Sequence, residues 1–134
     1  MKYYLKALQN YTVFTGRATR SEYWFFILFN FIFAIAAMII DNVLGTTFKM
    51  NTINGAMTMP YGYVYVLYGL AVFLPGLALS VRRLHDVNKS GWFMLIGLIP
   101  FIGAIWLLVL FVTDSDPKDN EYGPNPYSMP LETY

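Results

Sequence analysis

Ser80-Val-Arg-Arg-Leu-His-Asp-Val-Asn-Lys-Ser-Gly-Trp92 sets three basic side chains, a histidine and a carboxylate between two long uncharged runs. Such a break marks a loop between membrane segments, because ionic groups stay in water while the apolar stretches on either side enter hydrocarbon. Working outward, charge vanishes in blocks: none lies between Glu22 and Asp41, between Lys49 and Arg82, or between Lys89 and Asp114. Three gaps predict three membrane segments. Composition agrees, since 13% charged residues and 57% hydrophobic ones stand far from the roughly 25% charged of a soluble domain. The 134 residues, 19% of them aromatic, fit a single integral-membrane domain over 1–134, with Trp and Tyr suited to the bilayer interfaces. There is no cysteine, so disulfide and thiolate chemistry are excluded.

The first span is read at 23–40, where eighteen residues as helix cover ~27 Å, close to the hydrocarbon thickness of a bilayer. Its Ala34-Ile-Ala36 could mimic a signal-peptide cleavage site. The apolar run continues past it to Ile40, however, and the polar region before it is long, so the span is expected to be retained. Residues 41–60 read as a polar connection, with Asn54-Gly55 as a turn signal. The second span is read at 61–81. Gly62, Gly69 and Gly76 recur there every seven residues, which would align a helix-packing face, and Pro75 is expected to kink the helix. The third, 92–112, is interrupted by Ile99-Pro-Phe-Ile-Gly103. It forms either one kinked span or a re-entrant segment followed by a helix from Phe101. The kinked span is the expected form, because Phe101 to Val112 alone covers only ~18 Å.

Before the first span, residues 2–10 place Tyr4, Leu5, Leu8 and Tyr11 near one face, the pattern of a short amphipathic helix in the interface. After the third, 113–134 holds four prolines and five carboxylates and reads as a polar tail. The fold class is thus an all-α membrane protein: three transmembrane helices, a short amphipathic N-terminal helix and a polar C-terminal tail. The third segment is kinked or partly re-entrant. Lys2, Lys6, Arg17 and Arg20 precede the first span, and Arg82, Arg83 and Lys89 lie in the basic loop 82–91. Only Lys49 and Lys118 fall elsewhere. Seven against two places the amino terminus inside.

Arg17 and Arg20, three apart, share that side with Arg82 and Arg83. Four guanidinium forks there, oriented by Glu22 and Asp86, would suit the phosphates of anionic lipid head groups, with His85 beside them. The alternative is that they anchor topology and form surface ion pairs. Arg82 and Asp86, four apart on a helix, are the expected pair. His85 has no nucleophile beside it, and one histidine with scattered carboxylates makes no metal site, so neither metal nor cofactor is expected. Asn30, amid the first span, is expected to be packing glue through a hydrogen bond to another helix.

Several separated motifs carry a resemblance: Gly16-Arg-Ala-Thr-Arg-Ser-Glu-Tyr-Trp-Phe25, Arg82-Arg-Leu-His-Asp86, Ser90-Gly-Trp92, Ile99-Pro-Phe-Ile-Gly103 and Asn120-Glu-Tyr-Gly-Pro-Asn-Pro126. In these, and over residues 11–126, the chain resembles the bacterial inner-membrane proteins of domain-of-unknown-function family 805, the YhaH-like proteins. The connection at 45–60 and the stretch Ser115-Asp-Pro-Lys-Asp119 look less like the family. The resemblance implies an inner-membrane location and the fold, not an activity. The expected function is a non-catalytic membrane component binding lipid head groups, anionic phospholipid among them, or a partner membrane protein. A homo-oligomer is a further partner and nucleic acid is not one. The alternatives are a subunit of an oligomeric small-solute channel or transporter, motivated by Asn30 and Pro75, and a membrane-embedded enzyme using His85.

Overall fold

The computed structural model describes residues 1–128; the end of the expected tail, 129–134 with Pro130 and Glu132, lies outside the described residues. The chain folds as two compact units. The smaller is Ile27–Leu74, and the larger combines Met1–Phe26 with the chain from Pro75 onward. The elements are α1 (Lys2–Gln9), α2 (Arg20–Leu44), β1 (Thr47–Thr52), β2 (Gly55–Gly62), α3 (Tyr63–Asp86), a 3₁₀ helix (Gly91–Leu98) and α4 (Ile102–Val112). A short 3₁₀ turn, Pro126–Ser128, follows.

Among the described residues, helices α2 and α3, of 25 and 24 residues, are the two long and apolar enough to cross a membrane. At 1.5 Å per residue they reach ~37 and ~36 Å, beyond the ~30 Å of hydrocarbon. Helix α2 contains the expected 23–40 span and extends past it at both ends; α3 starts two residues after the expected 61 and runs five past 81. Thr19 and Glu22 explain the start of α2: the Thr19 hydroxyl accepts from the Glu22 N–H at 3.2 Å while the Glu22 carboxylate accepts from the Thr19 N–H at 3.1 Å. This reciprocal capping box satisfies two orphan donors of the first turn. Helix α3 runs through Arg82–Asp86, so the first half of the expected basic loop is helix. It ends in a Schellman motif, with Asn88 left-handed at φ 58, Lys89 N–H donating to Leu84 O at 2.9 Å and Asn88 N–H to His85 O at 3.0 Å.

The smaller unit corrects the all-α expectation. The polar connection is an antiparallel hairpin, with Thr52 opposite Gly55, Met50 opposite Met57 and Lys49 opposite Thr58. Ile53 and Asn54 form the two-residue loop, and Gly55 follows at φ +117. Neither loop residue takes a positive φ, but the glycine after them does, the arrangement in which an ordinary turn is followed by a residue of positive φ, so Asn54-Gly55 carried the signal. Gly62 ends β2 instead of opening α3. A Cβ there would lie 2.2 Å from the Thr46 carbonyl oxygen, so the strand end must be glycine.

In the larger unit the 92–112 segment is not one kinked helix. The 3₁₀ helix Gly91–Leu98 and α4 fold back on each other through a turn at Ile99–Phe101, a helical hairpin in place of the expected kinked span. Phe101 at φ 61 makes the reversal, and a Cβ on Gly103 would stand 1.7 Å from the Ile96 carbonyl oxygen. The arms measure ~16 Å each, from about 2.0 Å per residue of 3₁₀ helix and 1.5 Å of α-helix, half a hydrocarbon core. The turn satisfies its own carbonyls: Ile96 O takes Ile99 N–H, Ile99 O takes Gly103 N–H, Pro100 O takes Ile102 N–H and Phe101 O takes Ile105 N–H. Hydrocarbon demands such self-sufficiency. Gly103→Ala is expected to lower stability by about 3 kcal/mol by prising the arms apart. Gly97→Ala, which meets only the mobile end of Leu107 at 3.0 Å, should cost little. Thermal unfolding of the two variants in detergent checks the contrast.

Helix α1 packs on the start of α2 by ring stacking, Tyr3 on Phe25 and Tyr4 on Phe26, with centroids 5.5 and 5.4 Å apart. Its buried residues are Tyr4 and Ala7, while Leu5 is half exposed.

Candidate functional site

Asp86, fully buried, organises the charged end of the larger unit. One carboxylate oxygen accepts from Arg17 Nε at 3.0 Å; the other accepts from Arg83 Nη1 and the Ser115 hydroxyl. Its backbone oxygen accepts from the Asp116 N–H at 2.8 Å and from Arg17 Nη2 at 3.3 Å.

The two arginines spend their remaining donors on helix ends and on the C-terminal segment. Arg83 donates from Nε to Phe111 O at 3.2 Å and from Nη2 to Thr113 O, closing the carbonyl end of α4. Arg17 reaches Asp116 O at 2.6 Å and Lys118 O at 2.8 Å. A cation at a helix C-terminus meets orphan carbonyls and the negative end of the dipole together. The expected polar tail is therefore a strap, held by Arg17 from 99 to 106 residues away and by Arg83 and Asp86 from about 30, and 113–128 is ordered against the cap.

The expected pairing of Arg82 with Asp86 is not formed. Arg83, three residues from Asp86, takes that place because its face of α3 also meets the α4 carbonyls. Burial lowers the pKa of the Arg82 guanidinium, and the charge of Glu22 opposes that shift. The Glu22 carboxylate is taken by Lys6 and by the Thr19 N–H. Arg82 is 5% exposed, and among the described residues neither its Nε nor its Nη2 has a hydrogen-bond partner. Arg20, at the surface, pairs with the exposed Asp114.

His85 is fixed by two contacts. Nδ1 lies 3.0 Å from the Gly16 carbonyl oxygen, which can only accept, so Nδ1 carries the proton. The ring stacks on Tyr122 with centroids 4.0 Å apart and planes 2° from parallel. Burial, then the hydrogen bond and charge of Glu121, hold the Tyr122 phenol above its ordinary value. Asn120 Nδ2 donates to the His85 carbonyl at 3.1 Å. The fold thus brings together Arg17, Glu22, Arg82, Arg83, His85 and Asp86, with Arg20 at the edge, but all except Arg82 are held mainly by groups of the chain itself. Among the described residues no three of His, Cys, Asp and Glu gather where they could hold a metal ion.

The smaller unit holds Asn30, whose carbonyl oxygen accepts from the Tyr68 hydroxyl at 2.6 Å. Of the three spaced glycines, Gly62 abuts Thr46, Gly76 faces the Phe26 ring at 3.4 Å and Gly69 has open space where a Cβ would stand. A residue that sequence reasoning passed over is Asp41, fully buried. Its carboxylate accepts from the backbone N–H groups of Gly62, Val64 and Tyr65 at 2.9, 3.0 and 2.9 Å and from the Thr46 hydroxyl. A carboxylate is unfavourable at the C-terminal end of its own helix but favourable at the N-terminus of α3. The signal was a lone charge closing an apolar run. Likewise Thr19-x-x-Glu22 matches the capping-box pattern and could have fixed the start of α2.

The sequence profile of a family described as "Protein of unknown function (DUF805)" matches residues 11–124. "Inner membrane protein YhaH" of Escherichia coli (strain K12) is 42% identical over 130 residues, covering 97% of this chain and 100% of that protein. "Inner membrane protein YhaI" of the same strain is 43% identical over 126 residues, 94% of this chain and 96% of that protein. No solved structure matches.

Proposed function

This chain belongs to the DUF805 family, whose curated relatives are inner-membrane proteins, and from that premise we propose a non-catalytic membrane component that binds an anionic phospholipid head group through Arg82. Helices α2 and α3 cross the bilayer, the β1–β2 hairpin lies outside, and the 3₁₀ helix with α4 dips from the inner face and returns to it. Both ends of the described chain are then cytoplasmic. With Lys118 on the inner side as well, eight of the nine Lys and Arg fall inside and only Lys49 outside, which supports this orientation. The self-satisfied turn at 99–101, flanked by the exposed apolar Leu98, Ile99, Phe101 and Ile102, supports a hairpin that re-enters.

The observation that carries the head-group reading is the buried guanidinium of Arg82 with two idle donors. An uncompensated buried charge is costly, whereas Arg17 and Arg83 are saturated. The reading therefore narrows from four arginines to one. Two donors on one guanidinium edge match two oxygens of a phosphate. Helix α1 is the cover: its tie through Lys6 and Glu22 exchanges for a head group, and the exposed Lys2 and Arg20 meet the negative surface around it.

Arg82→Met separates this role from a structural one. In detergent the variant should be at least as thermostable as the parent, because a buried unpaired charge is removed. Its affinity for phosphatidylglycerol should fall about tenfold or more, the scale of a charged hydrogen bond. Native mass spectrometry of protein titrated with phosphatidylglycerol or phosphatidylcholine reads both. Unchanged phosphatidylglycerol binding, or equal binding of the two lipids by the parent, contradicts the proposal.

A further inference from the structure

The larger unit contains a cavity of about 580 Å³ on the side of α3 that does not carry Asp86. One wall is Leu77, Val81 and His85, four residues apart on α3 and therefore on one face; the other comes from Ser90 and from Trp92 and Leu95 of the 3₁₀ helix. Polarity runs along it. His85 and Ser90 lie together at the end nearest the charged cap. Leu77 is ~12 Å deeper along α3, and Leu95 ~10 Å deeper along the 3₁₀ helix.

The mouth has a defined hydrogen-bond character. With Nδ1 donating to Gly16 and one ring face covered by Tyr122, the polar atom that neutral His85 has left is Nε2, an acceptor. The cavity falls within the roughly 300–1,000 Å³ of small-ligand sites. It holds roughly 19 groups of water size, at about 30 Å³ each, enough for one alkyl chain with a small head.

We infer that this cavity binds a single-chain membrane lipid whose head carries a hydroxyl, such as a monoacylglycerol, with the hydroxyl donating to His85 beside Ser90 and the chain lying between Leu77 and Leu95. The apolar walls exclude a charged head from the deep end, and the single acceptor orients the molecule head outward. The site is separate from Arg82, which does not line it.

Trp92 on the wall is the reporter. In a chain carrying Trp24→Phe and Trp106→Phe, Trp92 is the only tryptophan, and a monoacylglycerol brominated along its chain should quench it saturably in detergent micelles. His85→Ala should raise the half-saturating concentration about tenfold, while His85→Gln, which keeps an acceptor, should stay within about threefold. Because His85→Ala also removes the contact to Gly16, Leu95→Trp, built on a Trp92→Phe background and read by competition with a fluorescent monoacylglycerol, tests the deep end by filling it; binding should be lost. Arg82→Met should leave the quenching unchanged, which keeps this inference distinct from the head-group reading. Quenching that never saturates, that is equal for brominated phosphatidylcholine, or that survives both His85→Ala and Leu95→Trp overturns it.

Discussion

Asp86→Ala is expected to unfold the larger unit. The substitution strips the carboxylate from two guanidinium groups whose side chains are at most 2% exposed, and breaking a buried ion pair costs about 3–5 kcal/mol even for one partner. Ser115 loses its acceptor too, and with Arg17 released the strap at Asp116–Gly123 loses its anchor. Against a total stability of about 5–15 kcal/mol, a loss of about 5 kcal/mol or more leaves little folded protein. Asp86→Asn keeps the shape and one acceptor and should fall between. The checking measurement is the thermal unfolding midpoint in mild detergent, together with the protease sensitivity of residues 113–128. Neighbouring arginines sharpen the test: Arg83→Met should behave like Asp86→Ala, and Arg82→Met should not. A cap that melted at the parent's temperature without Asp86 would show that the cluster is decoration.

Asp41→Ala is expected to release the hairpin and fray the start of α3. Three backbone N–H groups and one hydroxyl lose a charged acceptor. With hydrogen bonds to charged groups worth about 1.5–3 kcal/mol each, the combined loss is about 4 kcal/mol after partial rescue by water. Asp41→Asn retains one oxygen and should lose about half of that. Limited proteolysis should cut Asp41→Ala between 45 and 62 at protease levels that leave the parent intact, with the Asp86 cluster unaffected because it belongs to the other unit. Cleavage no faster than in the parent would contradict this role.

These two carboxylates also show where a sequence stops being informative. Solvation is local and was readable: charge-free runs located α2 and α3, and Ile99-Pro-Phe-Ile-Gly103 located the reversal, although its favoured reading as a kink was wrong. A stretch of ~18 Å of α-helix from Phe101 is short against a hydrocarbon core, and in the structure it pairs with the 3₁₀ helix before it. Asn54-Gly55 announced the hairpin, yet without the alternation of a half-buried strand the segment read as loop, since its outer residues face solvent on both sides.

Partner choice is non-local, and there the reading failed. Four-residue spacing favours Arg82 with Asp86, but the pairing is decided by Arg17 from the N-terminal segment and by the α4 carbonyls, groups that no helical period encodes. The tail failed for a related reason. Its prolines and acids signal solvation, whereas what orders it is main-chain oxygens at Asp116, Lys118 and Gly123 accepting from Arg17, and backbone acceptors carry no compositional mark. The candidate residues of the cap stand out in the sequence as a group; which of them is idle is decided by the fold.

If the third apolar segment turns back as proposed, both ends of the described chain lie on the cytoplasmic face. Because the chain has no cysteine, single substitutions Lys2→Cys, Asn54→Cys and Glu121→Cys can each be probed with a membrane-impermeant maleimide in spheroplasts before and after permeabilisation. Asn54→Cys should label in intact spheroplasts, and Lys2→Cys and Glu121→Cys only once the membrane is opened. Labelling of Glu121→Cys from the outside while Lys2→Cys stays protected would mean that the segment crosses, and the account of a re-entrant hairpin clamped by Asp86 would be wrong.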